Sequence, residues 1–418
     1  MSEDAAVAPP DAAPAAYDKR AVVSWALYDL ANTIYYAIVV TAFFPRWFEK
    51  TYHMAGPIGI TTALTLLASG LVSPWLGGRV DRSGRARPGL DGWTLASASA
   101  AGALCFAAPA GVVPALGVYA LSLFAYQGAL TFYNALLPAV APPERRGFVS
   151  ALGTGLGYAG VPLALWLGLQ VSKTSLGVPG AFLVAAGMFL LGTIPLWLFV
   201  KDRPGARPQA SQAGVGLVHA LRRIAADRRL LLLLVANFVC ADVANTLIQW
   251  ATLYFTKSGG LTDDQAVYMM MALAVTAFAG GLVIGRFADR ASPTLLYLGC
   301  CVGLLAGLLG AALAPGRMWA TGLLVVTGGV GVAGIWSLGR QLVLILSPPE
   351  RYGEALGLYG VTVKMSIVGT AVFGVVVDAV SDPAWKYPAA ILVEAGCLAV
   401  GCLMILSLHR AIARGANA

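Results

Sequence analysis

Charge is scarce in this sequence. Asp, Glu, Lys and Arg make up 11% of its 418 residues, against 58% apolar residues, and the mean hydropathy is +0.75. That balance excludes a surface solvated by water on every side. Histidine is nearly absent: His53, His219 and His409 fall near helix ends or in loops, so no histidine relay is available at membrane depth. The six cysteines, Cys105, Cys240, Cys300, Cys301, Cys397 and Cys402, all lie in apolar runs, where cysteine acts as a small hydrophobe, and none has metal-ligand spacing. There is no paired-histidine metal motif, nucleophile elbow or redox cysteine pair, which argues against an enzyme embedded in the membrane. The run Gly153-x-Gly155-x-Gly157 sits in an apolar stretch with no Lys-Ser/Thr after it, so it is no phosphate loop. No metal or cofactor is expected.

What the sequence has is long apolar runs. A membrane-spanning helix needs about 20 mostly apolar residues, and twelve stretches supply them: 21–45, 56–80, 92–110, 112–140, 147–171, 178–200, 229–255, 264–289, 293–314, 318–346, 353–380 and 384–408. Residues 1–20 hold no apolar core and read as a disordered tail, so the first helix is expected to be an uncleaved anchor. Residues 201–228 form a polar linker with Pro204, Gly205 and Pro208. It continues as an amphipathic run, Leu217, Leu221 and Ile224 opposite Arg222 and Arg223, that suits a surface helix. The linker separates a six-helix half, 21–200, from a second, 229–408, and 409–418 is a short tail with no room for an output domain. The net charge of +8 is first of all evidence about orientation. With the N-terminus in the cytoplasm, twenty of the twenty-eight Lys and Arg fall on the cytoplasmic side and six on the other, which predicts both termini inside.

The halves repeat one another. Asp29-Leu30-Ala31-Asn32-Thr33 recurs as Asp242-Val243-Ala244-Asn245-Thr246, an offset of 213. Gly77-x-x-x-Asp81-Arg82 recurs as Gly285-x-x-x-Asp289-Arg290, and Pro142-Pro143-Glu144-Arg145-x-Gly147 as Pro348-Pro349-Glu350-Arg351-x-Gly353, at offsets of 208 and 206. Three ordered matches at slowly drifting offsets indicate a parallel duplication, which suits two halves rocking about a central site.

The segment Gly77-Gly78-Arg79-Val80-Asp81-Arg82-Ser83-Gly84-Arg85-Ala86-Arg87, after the second helix, resembles the loop motif of the major facilitator superfamily. Trp25-x-x-Tyr28-Asp29-x-Ala31-Asn32, Phe44-Pro45, Phe132-Tyr133-Asn134-Ala135-Leu136-Leu137-Pro138 and Gly157-Tyr158 resemble its branch of vacuolar amino-acid effluxers and their bacterial relatives, and Arg340 and Lys364 fit that branch. The second loop motif departs from the pattern, ending in Ala291-Ser292-Pro293. The resemblance implies an all-α membrane protein of the major facilitator fold, twelve helices in two pseudo-symmetric bundles, working by alternating access. It also implies that helices 1, 4, 7 and 10 line the cavity.

Ionisable groups at membrane depth cost about 2.5–3.5 kcal/mol each on insertion scales, so each raises a functional hypothesis. Asp29, Asn32 and Tyr36 share one helix face, and Asp242, Asn245 and Gln249 repeat it. Asn134 maps onto Arg340 and Tyr158 onto Lys364 at the offset of 206. These nine candidates, Asp29, Asn32, Tyr36, Asn134, Asp242, Asn245, Gln249, Arg340 and Lys364, fall in one slab. Arg340 and Lys364 are expected to hold an anionic group, Arg as a planar fork and Lys as a point charge. Asp29 or Asp242 is then left for an ammonium group or a coupled proton. Asp29 with Lys364, or Asp242 with Arg340, is alternatively an ion pair bracing the halves, and Asn32, Asn245 and Gln249 equally suit helix–helix contacts. Asp81, Arg82 and Arg85, with Asp289 and Arg290 by pseudo-symmetry, read as a cytoplasmic gate in which a carboxylate faces a helix N-terminus, or simply as topology signals that bind anionic lipid. The function these features predict is secondary transport of a zwitterionic solute across an inner membrane; export of a drug or other metabolite is the alternative, and a non-transporting sensor a weaker one. The partners are a small-molecule solute, the lipid bilayer and protons, with no nucleic acid and a monomeric chain.

Overall fold

Backbone amides cannot be left unpaired in hydrocarbon, so a chain this apolar must pair them within helices. The computed structural model describes residues 18–107, 110–142, 146–202, 227–288, 291–348 and 352–416, and among these there are helices and no strands. The first half contains α1 (Lys19–Tyr52), α2 (Gly56–Ser83), α3 (Arg87–Ala107), α4 (Val112–Val140), α5 (Arg146–Ser172) and α6 (Gly177–Phe199). The second contains α7 (Arg228–Lys257), α8 (Asp263–Ala288), α9 (Pro293–Leu313), α10 (Met318–Leu346), α11 (Tyr352–Met365 continuing as Val368–Ala379) and α12 (Lys386–Ala416). Among the described residues ten of these helices are long and apolar enough to cross a bilayer, and the described part of α5, Leu156–Ser172, is apolar as well. Residues 1–17 of the expected tail 1–20, most of the linker, Asp289, Arg290 and Arg351 lie outside the described residues, whereas Lys19 and Arg20 of that tail already belong to α1, capped by Asp18.

The duplication is visible in the caps. The carboxylate of Asp18 accepts from the Arg20 amide at 2.9 Å to start α1, and that of Asp227 accepts from Arg229 and Leu230 amides at 3.1 and 3.2 Å to start α7. It is equally visible in the packing: α1 lies on α5 and α6 as α7 lies on α11 and α12, and α3 on α4 as α9 on α10. Across the halves, α1 meets α7, α2 meets α11 and α5 meets α8.

Three helices depart most from the expected spans. α12, expected to end at 408, continues through most of the expected tail 409–418 to Ala416, because Ala411, Ile412 and Ala413 still favour helix. α1 runs beyond residue 45 to Tyr52 and widens to π-helical winding over Tyr36–Phe43. α11, expected as one helix over 353–380, breaks at Ser366-Ile367. No proline marks this break. The Asn245 amide donates to the Ser366 carbonyl at 2.6 Å and the Asp242 carboxylate accepts from the Gly369 amide at 2.8 Å, so α7 supplies the partners that the helix forgoes.

At the end away from the termini the halves are sealed. Lys173 Nζ pairs with Asp264 and Lys257 Nζ with Glu49, each at 2.6 Å, and Arg46 donates to the Asp263 carbonyl at 3.0 Å. Asp378 on α11 accepts from the Ala55 and Gly56 amides at 3.1 and 2.6 Å, capping α2 from the other half. Deeper in, Gln249 donates to Thr62 at 2.9 Å. A Cβ on Gly59 would collide with the Thr370 carbonyl, and one on Gly374 would come within 3.0 Å of the Ala55 carbonyl, so α2 and α11 cross this closely only because both positions are glycine. Nearer the end that carries the termini, Lys364 Nζ reaches Ser73 of the other half at 3.3 Å.

Candidate functional site

The polar face of α1 turns towards α4 and α5. Asn32 donates to Asp29 Oδ1 at 3.1 Å and accepts from the Tyr126 hydroxyl at 3.3 Å, and Tyr36 packs at 5.8 Å on the Tyr126 ring. Asp29 fits against Gly153, where a Cβ would stand 3.0 Å from its Oδ2, so this glycine brings α5 onto the carboxylate. One turn further along α5, Tyr158 is within electrostatic reach of both Asp29 and Arg340. Groups from α1, α5 and α10 therefore converge across the two halves.

Arg340 is exposed and has no hydrogen-bond or ion-pair partner among the described residues; Tyr359 of α11 joins Tyr158 as a polar neighbour. Lys364, half-buried, reaches across to Ser73 of α2, and Thr131 of α4 donates to the same hydroxyl oxygen at 3.2 Å. Neither ion pair considered from the sequence is formed: Asn32 donates to Asp29 Oδ1, the Gly369 amide donates to Asp242 Oδ2, and no cation reaches either carboxylate among the described residues. Among the described residues, neither cation has a carboxylate partner. Asn134, on α4, is exposed with no partner among the described residues.

The face Asp242, Asn245, Gln249 has a different environment from its counterpart on α1. Asp242 and Asn245 serve the break in α11, and Gln249, 2% exposed, ties α7 to α2. Each carboxylate abuts a glycine, Asp29 Gly153 of α5 and Asp242 Gly369 of α11, though the two glycines are not equivalent positions of the repeat. Trp25 and Tyr28 are buried stacking partners of Tyr133, with centroids 4.3 and 4.9 Å away. Of the gate residues, Arg85 is exposed and its amide bonds within its own turn to Ser83. The side chains of Asp81 and Arg82, with Asp289 and Arg290, lie outside the described ones.

Sequence reasoning missed three groups. The seal of Arg46, Lys50, Lys173 and Lys257 against Glu49, Asp263 and Asp264, with Asp378 on the Ala55 and Gly56 amides, reads in sequence only as scattered loop charge. The bond to Asp264 raises the pKa of the exposed Lys173. At the other end, Asp202 accepts from the Ala86 and Arg87 amides at 2.9 and 3.0 Å, capping α3, while Arg87 pairs with Asp91 at 3.2 Å. Glu394, 3% exposed in α12, was the third, although an acid within an apolar run was signal enough.

A model of the Major Facilitator Superfamily matches residues 26–371. The chain belongs to that superfamily. It is 27% identical, over 84% of its length and 87% of the relative's, to an uncharacterized MFS-type transporter, YxiO, of Bacillus subtilis. It is 26% identical to autophagy-related protein 22 of Chaetomium globosum, over 58% of this chain and 43% of that one. The crystal structure of the nucleoside transporter NupG superposes with a TM-score of 0.75 at 15% identity, over 93% of this chain and 99% of the other, which establishes the shared fold. As a superfamily member the chain is a multi-pass membrane protein of secondary transport.

Proposed function

We propose that this transporter carries a small zwitterionic solute, an amino acid or a metabolite of similar charge, across the inner membrane by alternating access. The observation that carries the reading is the state of Arg340: a guanidinium from α10, without a protein carboxylate, beside the tyrosine that also neighbours Asp29 of the opposite half. A solute bearing a carboxylate would answer Arg340 with a bidentate pair and Lys364 with a point charge. Its ammonium group would meet Asp29, whose Oδ2 is free of hydrogen bonds among the described residues. Asn32, Tyr36 and Asn134 complete the wall of the binding site. Asp29 and Asp242 are the carboxylates available to a coupled proton.

Both termini are cytoplasmic in this reading, so the seal lies on the far side and the solute enters from the cytoplasm. Once solute bridges Arg340 and Asp29, the halves draw together there, and the seal around Asp263, Asp264 and Asp378 opens. The test is counterflow in proteoliposomes, with single unlabelled amino acids inside and labelled ones outside, at two pH values, for wild type, Arg340→Ala and Asp29→Asn. Exchange of a defined subset that Arg340→Ala weakens supports the reading. No exchange by folded protein across the whole panel would overturn it.

A further inference from the structure

Glu394 lies in the core of the second bundle, between α7 and α11, and no binding face predicted from the sequence includes it. A Cβ placed on Gly369 would stand 2.5 Å from Asp242 Oδ2, 2.7 Å from Thr246 Oγ1 and 3.0 Å from Glu394 Oε1. Three side-chain oxygens from α7 and α12 thus surround one missing side chain of α11, and the two carboxylates are no more than 5.5 Å apart, the sum of the first and last distances. Asp242 Oδ1, Thr246 Oγ1 and Glu394 Oε2 are buried and have no hydrogen-bond partner among the described residues. Thr246 and Glu394 are 1% and 3% exposed, so neither reaches bulk water.

Both also border a cavity of about 20 Å³, large enough for about one water, whose other walls include Trp250, Tyr254 and Phe373. Among the described residues, the only titratable group of another helix within electrostatic reach of Glu394 is Asp242. On α12 itself Cys397 lies within reach of both acids. α11 presents the Gly369 amide, already donated to Asp242, and α9 contributes Leu308 to the cavity wall. Among the described residues no lysine, arginine or histidine compensates the pair.

Two anions held this close in an apolar core without a cation are costly, while two neighbouring carboxylates with unpaired buried oxygens suit a single shared proton. We propose that Asp242 and Glu394 form a two-carboxylate site that binds one proton, giving the pair a net charge of −1. Release breaks one carboxylic O–H bond and leaves two carboxylates; uptake forms it again. Asp242 is partly exposed and Glu394 is buried, so Asp242 is the side from which the proton comes and goes. Asp242 also caps the broken α11, so a change in its charge acts directly on the amides that hold the Val368–Ala379 segment in place. A metal ion is the poorer occupant, since no group of three or more metal-ligating side chains of His, Cys, Asp or Glu is present among the described residues. The inference rests on the transport reading only for its use in coupling.

The test is infrared spectroscopy of the purified full chain in lipid, without solute, following the carbonyl stretch of a buried carboxylic acid as pH is varied. Wild type and Asp29→Asn are expected to show the band at neutral pH, Glu394→Gln to lack it, and Asp242→Asn to change the pH at which it disappears. Glu394→Gln is isosteric and uncharged; should it fail to fold, the Asp242→Asn midpoint decides. Absence of the band in wild type, its persistence in Glu394→Gln, an unmoved midpoint in Asp242→Asn, or its removal by added sodium would overturn the proposal. Because no transport is measured, a failed counterflow experiment with the band intact counts against the solute and not against this site.

Discussion

Asp378 offers the most direct test of how the seal works. Its carboxylate crosses from α11 to the N-terminus of α2, where Pro57 stands in the first turn and the Ala55 and Gly56 amides would otherwise lack partners. Replacing an N-terminal cap by alanine costs about 0.5–2 kcal/mol, and a hydrogen bond to a charged group about 1.5–3 kcal/mol. Asp378 is exposed, and in the opposite state water takes over both amides, so about 1–2 kcal/mol is the reasonable figure for Asp378→Ala. That amounts to a factor of about 5–30 in the ratio of sealed to unsealed molecules. The reporter is a cysteine at Thr41, which is 4% exposed and whose carbonyl is approached by Thr252 from the other half. With an impermeant maleimide confined to the face away from the termini, Thr41→Cys should label about 5–30 times faster when combined with Asp378→Ala, and less so with Asp378→Asn, which keeps one acceptor. Equal labelling rates in all three, with folding intact, would show that this cap does not hold the seal.

Three other outcomes follow from the same geometry. Gly59→Leu would drive a side chain into the Thr370 carbonyl, so labelling at Thr41→Cys from the sealed face should rise; an unchanged rate would mean that α2 and α11 need not cross so closely. Arg340→Ala and Lys364→Ala should each weaken apparent solute affinity in counterflow by about tenfold or more, the equivalent of about 1.4 kcal/mol, and wild-type affinity in both would remove the anion clamp. Asn245→Leu leaves the Ser366 carbonyl unpaired at the break, at a cost of about 1–3 kcal/mol. Its thermal midpoint should fall below wild type, and an unmoved midpoint would show that the break holds itself.

The chain's place in the membrane, its helices and its duplication were legible residue by residue. Apolar runs of membrane length leave the backbone one way to satisfy itself, and the recurrence of the Asp29–Thr33 pattern at Asp242–Thr246 places two such sets in register. The face on α1 was equally legible, because positions i, i+3 and i+7 share a side of any helix. What each face touches was not. Asp29 and Asp242 occupy the same place in the repeat, yet one lies by Asn32 and Gly153, and the other caps a broken helix beside Glu394. Local pattern fixes the direction of a side chain relative to its own helix, whereas the partner it meets depends on how neighbouring helices cross. The seal shows the same division: Lys173 and Asp264, like Asp378 and Gly56, are remote in sequence, and only the docking of α5 on α8 and α11 on α2 gives them one another.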